Sequence, residues 1–241
     1  AYEINPDQIS KLNVFIKIIS LENCPADFGL NVTKKTNTQN RIDKKDFVSL
    51  DPEQDRLKTE LALDGIIYHL KRSDGAIKQD ETNCYVEEVI TALACSKADI
   101  NLAVQAKREV GKLWEDISKQ PYTDIINSTV NATQSWRAVR IMREVTNNLK
   151  LKEQASSGRV KSCYIHSNRF VLNIIFSKIG QQVLLDPNFD FNNYFTTTLP
   201  SIIDQVSEQT KDKMEELFPN SLVHQVFRNF TKCRQLKAQL N

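Results

Sequence analysis

Glycine and proline are scarce, six and seven in 241 residues. An all-β fold of this length needs more turns than that supply suits, so the chain is expected to be mainly helical. Long apolar runs are missing too. None approaches the roughly 18 residues of a membrane span. No signal peptide is visible, and the expectation is a cytoplasmic protein that does not enter a membrane. An excess of one charge is also lacking, with 32 Lys and Arg against 30 Asp and Glu, net +2. Composition therefore makes no whole-protein case for nucleic-acid binding. No Cys-x-x-Cys pair occurs. The five cysteines, Cys24, Cys84, Cys95, Cys163 and Cys233, are odd in number and scattered. That fits free thiols in a reducing compartment, with no disulfide. His69, His166 and His224 stand apart from one another and from any Cys at ligand spacing, which argues against zinc. Gly-x-Ser-x-Gly, a glycine-rich phosphate loop and a dinucleotide fingerprint are absent. No metal and no cofactor is expected.

What remains is ordinary for a globular chain: 40% hydrophobic and 26% charged residues, enough for one large domain or two small ones. Asn-x-Ser/Thr triplets start at Asn31, Asn127, Asn131 and Asn229. They arise by chance in a chain this rich in Asn and Thr.

Val14-Phe15-Ile16-Lys17-Ile18-Ile19-Ser20-Leu21 is β-branched and almost wholly apolar, as a strand covered on both faces would be. Pro25 suits a helix start that residues 26–35 could continue. Asp51-Pro52-Glu53 reads as an N-cap, a first helical proline and an acidic first turn, with Leu57 and Leu61 on one face and Gly65 as the stop. Residues 66–70 read as a short strand, and Ser73-Asp74-Gly75 turns the chain. Helical spacing takes over from there. Val86, Val89, Ile90 and Leu93 make one face. Ala106, Val110, Leu113, Trp114 and Ile117 make another, weakened at Gly111 and ended by Pro121. Val139, Met142, Val145 and Leu149 make a third. Residues 153–161 read as a loop. A very apolar helix runs through Val171, Leu172, Ile175, Phe176, Ile179 and Val183. Another begins at Pro200, Ile202, Ile203 and Val206. The last face holds Val223, Val226, Phe227, Phe230, Cys233, Leu236 and Leu240. The expected fold is mainly α: a helical bundle with a small α/β element of two or so strands at the N-terminal end. Residues 1–76 would form a strand–helix–strand segment and residues 77–241 an all-helical domain.

The polar block at residues 33–47 is the chain's strongest local anomaly. Thr36, Asn37, Thr38, Gln39 and Asn40 crowd hydrogen-bonding side chains between apolar elements, flanked by Lys34, Lys35, Arg41, Lys44 and Lys45. Such a block is either a side-chain network tying strand to helix or a surface that touches a ligand. The candidate binding residues are Lys34, Lys35, Thr36, Asn37, Gln39, Asn40 and Arg41. A second basic cluster, Arg228, Lys232, Arg234 and Lys237, lies mostly off the last apolar face. Lys and Arg neutralise phosphates, while Asn and Gln reach bases or backbone. A solvated helix face is the plainer reading of both clusters.

The order Thr36-Asn37-Thr38-Gln39-Asn40, then Asp46-Phe47-x-Ser49-x-Asp51-x-x-Gln54-x-x-Leu57, then Gly65-Ile66-Ile67-Tyr68-x-x-Lys71-Arg72, resembles the AIPR family. That family is associated with abortive infection and phage resistance in bacteria. Tyr164-Ile165-His166 and the stretch around Lys232-Cys233 are similar as well. The Asn-Gly-x-Gln-Thr-type motif usual upstream in that family is absent, and its members are usually longer. The resemblance therefore implies the C-terminal part of a defence protein, with nucleic acid or a phage component as partner, or a second copy in a homo-oligomer.

A nuclease would need clustered carboxylates for a divalent cation. Asp43, Asp46, Asp51, Glu53 and Asp55 are close in sequence, with Lys45 between them. The last three sit where a helix start favours acids in any case. Cys163 lies three residues from His166, but a nucleophile and its base must meet in space. Three functions stay open: target or nucleic-acid binding, part of a metal-dependent nuclease, and a helical interaction module.

Overall fold

Asp51-Pro52-Glu53 opens the first long helix among the described residues, as its residue types require. In the computed structural model, which describes Ser20 and residues 22–25, 27–29, 32, 48–70 and 80–240, α1 spans Pro52–Leu63. The Asp51 carboxylate accepts from Glu53 N at 3.1 Å, satisfying one of the first-turn donors that have no intrahelical partner. The helix ends in a Schellman turn: Ile66 N donates to Leu61 O at 2.9 Å and Gly65 N to Ala62 O at 3.1 Å. Gly65 has φ +75°, a conformation that a side chain would strain.

The chain divides into two compact units, Ala1–Ile42 and Asp43–Asn241. In the first, Phe28 N donates to Pro25 O at 2.9 Å, and Phe28, Gly29 and Val32 are helical, in keeping with a helix start near Pro25. The expected strand at residues 14–21 has only Ser20 described, and most of the expected helix at residues 26–35 also lies outside the described residues. The turn at residues 73–75 does as well.

The second unit continues with β1 (Ile67–His69) and β2 (Asn83–Tyr85). They pair in parallel, with Tyr68 opposite Cys84. Beyond them come α2 (Val86–Ser96), α3 (Ile100–Arg108), a 3-10 turn (Val110–Trp114), α4 (Tyr122–Ile125), α5 (Ala132–Gln154) and α6 (Gly158–His166). Then follow α7 (Asn168–Lys178), α8 (Gln181–Leu185), α9 (Phe191–Thr197), α10 (Leu199–Leu217), α11 (Val223–Val226) and α12 (Phe230–Ala238). Among the described residues the strands make one small parallel pair, and the architecture is mainly α with a small α/β element, as expected. No described helix is long and apolar enough to cross a membrane.

The core is built on α2 and α7. Val86, Val89, Ile90, Ala92, Leu93, Ala94 and Cys95 of the first are buried, as are Phe170, Val171, Leu172, Ile174, Ile175 and Phe176 of the second. A helix apolar nearly all round belongs inside. The 23-residue α5 lies across them, burying Ala138, Val139, Ile141, Met142, Val145 and Leu149. Its polar side chains fasten other elements. Arg137 donates to Val183 O, Asp186 O and Phe189 O. Arg143 grips Glu88 and two carbonyls near β2.

Several expectations are corrected. A strand was expected only in the first seventy-odd residues, yet β2 lies at Asn83–Tyr85; pairing with β1, not local pattern, makes it a strand. The helix drawn through Ala106 to Ile117 stops at Arg108. Glu109 turns extended at φ −161° and ψ 90°, and the 3-10 turn then drops Leu113 and Trp114 into the core. The loop at residues 153–161 shrinks to residues 155–157, because α5 runs on to Gln154 and Gly158 takes φ +55° at the start of α6. The apolar helix expected through Val183 breaks after Lys178, and Gly180 caps a separate α8. The last face is split too. Asn229 Oδ1 accepts from Lys232 N at 3.0 Å and starts α12 afresh.

One polar cluster on α10 gives the fold an acid sensitivity. Glu208 accepts from Lys152 at 3.0 Å, Tyr164 at 2.8 Å and Lys211 at 2.6 Å. Partial burial pushes its carboxyl up, and these hydrogen bonds together outweigh that, bringing it from 4.5 down to about 2. A carboxyl held low in the folded state stabilises the fold above its unfolded value, and loses that contribution as pH falls toward its folded value. The gap in Tm between the parent and Glu208→Gln should therefore be widest near neutral pH and close between about pH 4.5 and pH 2. Melting curves across that range that stay parallel would contradict it.

Candidate functional site

The candidate residues Lys34, Lys35, Thr36, Asn37, Gln39, Asn40 and Arg41 lie outside the described residues, as do Asp43, Lys44, Lys45 and Asp46. Of the motif positions that follow, Phe47, Lys71 and Arg72 also lie outside the described residues, whereas Asp51, Gln54, Leu57 and Tyr68 serve the fold. Tyr68 OH donates to Gln54 Oε1 at 2.6 Å, Gln54 Nε2 donates to Tyr122 OH at 2.9 Å, and Tyr122 OH donates to the Asp51 carboxylate. Gln54, Leu57, Tyr68 and Tyr122 are buried. Asp51 thus caps α1 and also ends a buried hydrogen-bond chain. Glu53 pairs with Arg56 at 2.7 Å, and Arg56 reaches on to Glu60 and to the carbonyls of Asn127 and Val130. Two of the three described carboxylates proposed for a cation are therefore engaged in holding α1. Among the described residues, no group of three or more His, Cys, Asp or Glu side chains is placed to hold a metal.

All five cysteines are free. Burial pushes the thiols of Cys84, Cys95, Cys163 and Cys233 up to about 12. A nucleophilic cysteine needs the opposite shift; Cys163 is a fully buried core residue. His166 faces His224, with ring centroids 6.0 Å apart.

The second basic cluster is fully described. Part of it is structural. Lys237 donates to Ala98 O at 2.9 Å and Asn173 Oδ1 at 2.8 Å. Asn173 Nδ2 in turn holds Cys95 O and Lys97 O, which ties α12, α7 and the end of α2 together. Lys232 donates to Ser221 Oγ at 2.9 Å, and Arg234 to Asn101 Oδ1 at 3.2 Å. Arg228 is exposed and donates to Arg108 O at 2.8 Å.

That last contact joins two distant basic segments. Arg108 ends α3, and its guanidinium carbon lies 4.9 Å from the centroid of the half-buried Phe230 ring. Arg108, His224, Gln225, Arg228, Asn229, Phe230 and Thr231 line a groove of about 550 Å³. A neighbouring groove of about 440 Å³ shares Arg108, Arg228 and Phe230 and adds Gln105, Glu109 and Lys112. Behind them, Lys107 donates to Ile165 O and Asn168 Oδ1. Burial first, then Arg169 and Arg228, bring its ammonium down to about 8. His166 is lowered by burial, then by Lys107, His224 and Arg228. Among the described residues, Lys107, Arg108, Arg169, Arg228, Lys232, Arg234 and Lys237 form no ion pair. Cations gathered without ion pairs at an exposed groove give it a positive local field.

Sequence pattern pointed to Arg228 but missed Arg108, His224 and the part played by Phe230. The dipeptide Lys107-Arg108 was visible, but nothing in the linear order brings it to a residue 120 positions away.

A family model described as AIPR protein matches residues 1–237. No curated protein and no solved structure matches the chain.

Proposed function

From the premise that the chain belongs to the AIPR family, we propose that it serves in bacterial anti-phage defence by abortive infection, and that its part is to bind nucleic acid. The supporting observation is the exposed Arg108–Arg228 groove, backed by Lys107 and Arg169 with no carboxylate paired to any of the four. The binding surface is then assembled from α3, α11 and the start of α12. The polar block at residues 33–41 is the second contact region under this reading. Free thiols suit the reducing cytoplasm in which phage nucleic acid is met.

Phosphate contact has a signature that a neutral interaction surface lacks. Each neutralised phosphate adds about −0.7 to −0.9 to the slope of log affinity against log salt. Anisotropy of a labelled oligonucleotide, titrated with the full chain at several salt concentrations, should give a steep negative slope. Arg228→Gln should weaken binding at low salt and reduce that slope by about 1. A parent slope near zero, or one that Arg228→Gln and Arg108→Gln leave untouched, would remove the nucleic-acid reading. A purely oligomeric role would be left in its place.

A further inference from the structure

Arg108, Arg228 and Phe230 are the three side chains common to both grooves. We propose that this junction binds single-stranded nucleic acid, with the Phe230 ring stacking on an unpaired base while Arg108 and Arg228 hold the phosphates beside it. The proposal rests on the nucleic-acid reading above and names its substrate class.

The chemistry narrows the ligand in two steps. Charge alone would accept any polyanion. Phe230 adds an apolar face at the point where two guanidinium groups converge. Arg108 sits over the ring at 4.9 Å, and Arg228 is tethered to the Arg108 carbonyl at 2.8 Å. Both cations thus stand next to the aromatic surface, Arg108 over one side of the ring, and neither is in an ion pair among the described residues, although Glu109 lines the second groove. Aromatic rings and guanidinium planes beside a basic track are the means by which unpaired bases are held without sequence preference. A base inside a duplex is already stacked on both faces. It can reach a ring that lines a recess only after leaving the stack. A duplex would instead need a helix or ribbon projecting into its groove, and here the ring lines the recess between helices.

The polar atoms around the ring suit the same ligand. Gln225, Asn229 and Thr231 line the first groove. Amides and hydroxyls there can serve either sugar or base edges. Phe230 also packs on the core cluster, so the platform is rigid.

The test compares three labelled ligands of equal length on the full chain: oligo(dT), the same backbone with abasic sites, and a duplex. Phe230→Ala should weaken oligo(dT) binding roughly tenfold, in line with the loss of one stacked base, and leave the abasic strand unchanged. Phe230→Trp should retain oligo(dT) affinity, and its indole emission should be quenched on binding. That variant preserves the test if Phe230→Ala proves too unstable to use. Equal effects of Phe230→Ala on oligo(dT) and on the abasic strand would overturn the stacking proposal. So would tighter binding of the duplex than of oligo(dT), or displacement by an acidic peptide as efficient as by oligo(dT). In each of those cases the double change Arg108→Gln with Arg228→Gln separates the two ideas. If it still weakens every nucleic acid, the broader reading stands without the single-strand claim. If it weakens none, both fall.

Discussion

Changing Gln54 to alanine should cost the fold about 3–4 kcal/mol. Gln54 is wholly buried between two phenols. Its amide oxygen accepts from Tyr68 and its amide nitrogen donates to Tyr122, which passes its own proton toward Asp51. The donors all run one way and end on a carboxylate, an order in which each bond polarises the next. Burial raises the Tyr68 and Tyr122 hydroxyls, so both stay protonated and remain donors. Alanine would strand the Tyr68 hydroxyl without its acceptor and remove the donor to Tyr122. It would also open a cavity beside Leu57 and Leu61. For a chain of this length each kcal/mol moves Tm by about 2–4 °C, so a fall of roughly 10 °C is expected by circular dichroism. Tyr68→Phe should cost less alone. In the double variant the losses should sum to less than their total, because both act on one chain of bonds. A Gln54→Ala protein that melts within about 1 °C of the parent would show that the network carries no such weight. The motif Asp51-x-x-Gln54-x-x-Leu57 would then need a reason other than architecture.

This network also shows what a sequence makes legible. The start and stop of α1 are local events. A carboxylate, a proline and a glycine each act within a few residues, so they can be read directly. Apolar faces were legible for the same reason, since spacing of three and four residues survives in Val86–Leu93 and in Val223–Leu240. Continuity was not. The breaks at Glu109, at Ile179-Gly180 and at Phe227-Arg228-Asn229 keep the same face buried while redirecting the chain. They are set by what the helices pack against. Strand β2 consists of Asn83, Cys84 and Tyr85, too short to show alternation, and exists through its partner β1. Tyr122 joins Gln54 across 68 positions and Arg228 joins Arg108 across 120. Spacing cannot announce either meeting. The basic residues in and just before α12 show the remaining limit. From sequence they form one cluster, but Lys237 and Lys232 fasten helices while Arg228 faces a groove, and only packing tells them apart.

Arg143→Ala should be at least as damaging, by about 3–5 kcal/mol, for a different reason. The Arg143 side chain is 19% exposed and that of Glu88 12%. Two guanidinium nitrogens meet the two carboxylate oxygens at 2.9 Å and 2.7 Å. The same guanidinium donates to Asp80 O at 2.6 Å and Asn83 O at 2.9 Å. Glu88 also accepts from Tyr85 N at 3.1 Å, closing the start of α2. One side chain of α5 thereby fixes the approach to β2, the strand itself and the first turn of α2. Removing it leaves a largely buried carboxylate without its cation, which costs far more than the pair contributes. Lysine is a poor replacement, because a point charge cannot reproduce a planar fork engaged on several sides. Removing both charges, with Arg143→Met and Glu88→Leu, should restore part of the loss, since no buried charge is then left alone. Urea unfolding of the two single variants and the double checks this directly. Singles that each lose under about 1 kcal/mol, or losses that simply add in the double, would refute it. The effect on function follows from position. The hydrogen bonds of Arg143 go to Asp80, Asn83 and Glu88, none of them a groove residue, and its effect is on α2, which packs on α3. Below its lowered melting point, Arg143→Ala should bind oligo(dT) with the parent's affinity and salt slope. Arg228→Gln should melt close to the parent and bind less well. That crossed pattern, stability lost in one variant and binding in the other, would separate the frame of this protein from its proposed binding surface.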